Sequence, residues 1–81
     1  MKTTPKLIEA TYVDDYRIHV IFEDGTEGEL DMENELWGPV FEPLKDKNVF
    51  RMFRIDNELQ TIVWPSGADL APEYLYKVAA A

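Results

Sequence analysis

The chain has 81 residues, 46% of them apolar, with sixteen acids against eight bases, a net charge of −8 and no cysteine. This balance repels phosphate and argues against direct nucleic-acid binding. The lack of cysteine excludes disulfides and thiolate metal sites. The length fits one domain over residues 1–81, small enough to bury only roughly 60–65% of the surface its unfolded chain exposes.

Leu7 to Val13 is rich in β-branched and apolar residues and reads as a strand, ended by a turn at Asp14-Asp15. Tyr16 to Glu23 alternates, with Tyr16, Ile18, Val20 and Phe22 on one face and Arg17, His19, Ile21 and Glu23 on the other. Asp24-Gly25 predicts a tight hairpin. Thr26 to Met32 alternates again, Gly28, Leu30 and Met32 facing in and Glu27, Glu29 and Asp31 facing out. Together these form a three-stranded antiparallel meander with one wet face.

Glu33 to Lys45 has no strand period. Gly38-Pro39 is expected to end one segment and open a helical turn, with Pro39 at its first position and Val40, Phe41 and Leu44 on one face. Asp46 is a suitable N-cap for a second short helix carrying Val49, Phe50 and Phe53. Phe53 to Asp56 and Gln60 to Trp64 read as two strands joined across Asn57-Glu58, and Pro65-Ser66-Gly67 breaks the second. Pro72 opens a C-terminal helix with Glu73 against its dipole and Tyr74, Leu75 and Val78 as its apolar face. The tail Ala79-Ala80-Ala81 is expected to fray. The order β-β-β-α-β-β-α, with short central helices and no βαβ alternation, places the chain in the α+β class.

The residues offer few candidates for chemistry. Glu27, Glu29 and Asp31 would lie on one strand face, with Glu33 and Glu35 continuing the row if the strand persists. They would point parallel rather than converge on an ion, so a solvated outer face is the first reading and a surface for a basic partner the second. His19, the one histidine, falls on the wet face. Ser66 sits in Pro65-Ser66-Gly67, which is not a nucleophile elbow. Asp69 is expected to tie its loop by an Asx-type bond to the Ala71 amide. Trp64 is expected in the core. Trp37 is expected to pack onto the meander, with an exposed interface anchor as the alternative. No catalytic residue, cofactor or metal ligand is assigned. No basic leader precedes the first strand and no apolar run approaches the roughly 20 residues a membrane span needs, so the cytoplasm is the expected location.

Two segments carry a family resemblance. Gly38-Pro39-Val40-Phe41-Glu42-Pro43-Leu44 is followed by Thr61-Ile62-Val63-Trp64-Pro65-Ser66-Gly67-Ala68-Asp69-Leu70-Ala71-Pro72-Glu73-Tyr74-Leu75-Tyr76. Together they resemble the bacterial domain of unknown function 2442, over nearly the whole chain. The resemblance implies a small β-β-β-α-β-β-α fold without known enzymatic activity, and assigns Gly38, Pro39, Phe41, Pro43, Leu44, Trp64, Pro65, Gly67, Asp69 and Pro72 mainly structural roles. Relatives often carry Asn where Ser66 stands and Pro where Lys47 stands. Some are fused to a helix-turn-helix domain, and many are encoded beside a second small protein, as in toxin–antitoxin pairs.

The expected function is therefore a non-catalytic interaction module, the acidic antitoxin-like member of a two-protein pair. Its partner would be a small, basic protein, met through Glu27, Glu29, Asp31 and Trp37, and a homodimer is also permitted. The alternatives are a regulatory domain working with a helix-turn-helix partner, or a small-ligand or divalent-metal-binding domain.

Overall fold

Three antiparallel strands, Leu7–Asp14 (β1), Arg17–Phe22 (β2) and Glu27–Asp31 (β3), form one sheet in the order β1-β2-β3 in the computed structural model, which describes residues 4–81. Alternation decides which face is dry. Ile18 lies opposite Leu30 and Val20 opposite Gly28, while Arg17, His19 and Ile21 pair with Asp31, Glu29 and Glu27 on the outer face. Pairing of β1 with β2 slips twice, leaving Ile8 and Val13 as extra, exposed residues on the edge strand. Bulges of this kind twist an edge and discourage another chain from adding to it.

The hairpin between β2 and β3 departs from the expected tight turn. The Phe22 amide donates to the Thr26 carbonyl at 2.8 Å and the Gly25 amide to the Phe22 carbonyl at 3.0 Å, so the loop has three residues, Glu23-Asp24-Gly25, with Gly25 at φ 89°. Strand β3 stops at Asp31. Residues 33–35 form a turn, with the Glu33 amide on the Asp31 carboxylate at 3.0 Å, so Glu33 and Glu35 do not extend the acidic row.

A 3-10 turn, Glu42–Lys45, and a short helix, Lys47–Phe50 (α1), cover one end of the sheet. The 3-10 turn begins three residues after Pro39, because Gly38-Pro39 first makes a separate bend closed by the Glu42 amide on the Gly38 carbonyl. Leu44 is buried, Phe41 half-buried and Val40 exposed, so the expected common face is incomplete. Asp46 caps α1 by accepting from the Asn48 amide at 2.9 Å. This helix delivers Phe50, fully buried, into an aromatic cluster with Tyr16 at 5.4 Å and Trp64 at 5.8 Å. The Trp64 indole N–H donates to the Phe50 carbonyl at 2.8 Å, so its one polar atom is satisfied in the core.

Arg54–Asp56 (β4) and Thr61–Val63 (β5) form a two-stranded sheet, with β4 against β1. Pro72–Ala80 (α2) lies on β3. Its buried residues are Leu75 and Ala79, one turn apart, while Tyr74 is 38% exposed and Val78 half-buried. Ala79, expected in a frayed tail, is instead packed into the core as part of the helix. A Cβ on Gly28 would sit 2.3 Å from the Ala79 carbonyl oxygen, so a bare glycine in β3 lets the end of α2 lie flush on the sheet. Among the described residues, no helix is long and apolar enough to cross a membrane.

Candidate functional site

The loop after β3 exposes an aromatic side chain, Trp37. The Met32 amide donates to the Tyr16 carbonyl and the Glu35 amide to the Met32 carbonyl, each at 2.9 Å, which fixes the turn. Leu36 then enters the core, and its neighbour Trp37 is 72% exposed. The expectation that Trp37 packs onto the meander is thus corrected: Leu36 takes the core position and the adjacent side chain is left outside. Gly38, at φ 89°, turns the chain back, so that Trp37 and Phe41 line the same concavity. Met32, Leu70 and Tyr74, from the end of the sheet, the loop before α2 and the first turn of α2, complete its apolar lining.

The concavity encloses about 290 Å³ and is lined by Met32, Glu35, Trp37, Phe41, Leu70 and Tyr74. Three of these are aromatic, two are aliphatic and one is a carboxylate. Partial burial, and then the Glu35 carboxylate, push the Tyr74 phenol above its ordinary value, so it remains a neutral hydroxyl at physiological pH. The groove thus offers aromatic surface, one neutral hydroxyl and one negative charge.

The acidic strand is a different place. Glu27, Glu29 and Asp31 are exposed on the outer face, whereas Met32 belongs to the inner face and the groove. Side chains from β2 already lie against two of them: the Arg17 guanidinium is 3.8 Å from Glu29, and His19 Nε2 is 3.2 Å from Glu27. Among the described residues, no group of three His, Asp or Glu side chains is arranged to hold a metal ion. The expected partner surface therefore divides, and the acid in the groove with Trp37 is Glu35. Sequence spacing hid this by placing Glu35 in the strand row and Tyr74 on the buried face of a helix. The usable signal was Leu36-Trp37, two adjacent large apolar residues after a polar turn, which cannot both point inward on extended backbone.

The segment from Trp64 to Asp69 is a structural corner. The Trp64 amide donates to the Ala68 carbonyl at 2.9 Å and the Gly67 amide to the Trp64 carbonyl at 3.0 Å, with Gly67 at φ 95°. This repeats the pattern at Phe22 to Thr26, with Pro65 in the position of Glu23. The chain then runs back beside β5. Asp69 bridges Val63, the Leu70 amide reaches the Ile62 carbonyl at 3.3 Å, and the buried Thr61 hydroxyl donates to the Leu70 carbonyl at 2.7 Å. Backbone pairing, rather than the expected Asx bond, ties the loop; the Asp69 side chain is exposed. Ser66 is exposed in the turn.

A family model matches residues 7–81, from the first residue of β1 to the end of the chain. The chain belongs to DUF2442, a family described as proteins of unknown function. The DUF2442 match spans the sheet, the groove and the corner loop together, so the groove lies within the family's domain. No curated protein and no solved structure matches the chain.

Proposed function

We propose that this DUF2442 chain is a non-catalytic protein-interaction module, acting in the cytoplasm, whose partner docks at the Trp37 groove. The supporting observation is Trp37 itself, 72% exposed beside a concavity lined by Phe41, Leu70 and Tyr74. An indole left in water gives up apolar burial that a partner could recover, at about 25 cal/mol per Å² covered. Tryptophan anchors of this kind commonly dominate binding energy. The net charge of −8 favours a basic partner and fast, salt-sensitive association. That charge, with the resemblance described above, supports the finer reading of an acidic, antitoxin-like member of a two-protein pair.

Co-expression with the product of the adjacent gene, followed by a mass measurement in solution, tests the proposal. A heteromeric complex is expected, weakened at least about tenfold by Trp37→Ala. Absence of a complex at micromolar concentration and low salt, or a complex indifferent to Trp37→Ala, overturns it.

A further inference from the structure

The groove's size and charge narrow what can enter it. At about 290 Å³ it lies at the lower edge of the roughly 300–1,000 Å³ range of small-molecule sites. It suits one long side chain better than an extended ligand. Its lining carries one carboxylate, Glu35, and no basic residue, so an anionic group would be repelled on entry. A purely aliphatic group would fit Met32 and Leu70 but would offer no partner to Glu35 or the Tyr74 hydroxyl. A lysine ammonium would lose a tight hydration shell against aromatic carbon. A guanidinium is planar, weakly hydrated, stacks on aromatic faces and binds carboxylates through two N–H groups.

We infer that the groove receives an arginine side chain from a basic segment of the protein partner, its guanidinium stacked on aromatic surface and paired with Glu35, and its aliphatic stem against Met32 and Leu70. This rests on the interaction-module reading and specifies how the partner is recognised. Charge complementarity carries it: the molecule has a net charge of −8, and the groove lining combines one acidic residue, Glu35, with Trp37, Phe41 and Tyr74, a combination that attracts organic cations and disfavours anions. The acids on the outer face of β3 do not serve this purpose, because Arg17 and His19 already lie against Glu29 and Glu27.

A pair of short blocked peptides provides the test: one carrying arginine beside leucine, the other with neutral citrulline in place of arginine. Both are titrated into the full chain while the Trp37 indole N–H is followed by NMR. The arginine peptide is expected to shift that resonance and to bind at least about fivefold more tightly than the citrulline peptide. Glu35→Gln is expected to abolish the difference while leaving the melting midpoint unchanged, since Glu35 is exposed. Equal binding of the two peptides, a difference that survives Glu35→Gln, or no shift at Trp37 overturns the inference. The two readings fail separately. A partner complex that depends on Trp37 but not on Glu35 keeps the module and removes the arginine; discrimination between the peptides without any partner complex does the reverse.

Discussion

Gly67 shows how much one residue's backbone can determine. At φ 95° it occupies a region that a β-branched residue strongly resists, although open space surrounds the position where a Cβ would stand. Gly67→Val is therefore expected to cost more than about 1 kcal/mol through backbone strain alone. Chemical denaturation checks this, and an unchanged midpoint would show that the corner does not require glycine. Asp24 is a second such residue. The Tyr76 hydroxyl donates to its carboxylate at 2.6 Å, and this bond, followed by the Thr26 amide, holds its pKa below the ordinary 3.8. A depressed carboxylate adds stability that is complete above 3.8 and is lost as pH falls through the lower, folded value. Tyr76→Phe should raise the Asp24 pKa toward 3.8, as read by NMR titration. Trp37 makes the contrasting case, because an exposed residue can be removed cheaply. Trp37→Ala should change stability by no more than about 0.5 kcal/mol, which makes it a clean probe of binding.

Among the elements, α2 depends on a contact that propensity does not reveal. Leu75 and Ala79 bury one stripe of the helix, and Gly28 in β3 makes room for the backbone at Ala79. Gly28→Ala should cost about 1–3 kcal/mol, since the obstructing atoms are backbone and cannot rotate away. A loss below about 0.5 kcal/mol in thermal or chemical unfolding would mean that the helix end shifts freely. Helix α1 is too short to stand alone and depends on its cap and its packing. Asp46→Ala removes the acceptor for the Asn48 amide and should cost about 1 kcal/mol. The strands of the meander were legible because a period of two with one wet face leaves a strong pattern: Ile18, Val20, Phe22, Leu30 and Met32 all lie inside as expected. The region around Gly38 was less legible. Its two prolines suited several turn geometries, and Val40 proved exposed where a helical face would have buried it.

At the scale of the whole molecule, two small sheets and two helices share a core in which Phe50, Trp64 and Ile62 meet the inner face of the meander. Alternation, turn residues and helix-start signals determined the α+β class, the element order, the wet and dry faces of the meander, the Asp46 cap and the membership suggested by the corner loop. These are local properties, set by backbone sterics and by periodicity within a few residues. Tertiary structure alone decided the rest. It assigned Leu36 to the core and left Trp37 outside, since the inward position could take only one of two adjacent large side chains. It separated the acids of β3 from Glu35 by ending the strand at Asp31. It brought Met32, Phe41, Leu70 and Tyr74, distant in sequence, around a single groove. Such a site depends on where two loops and the start of a helix meet in space, and no period along the chain encodes that.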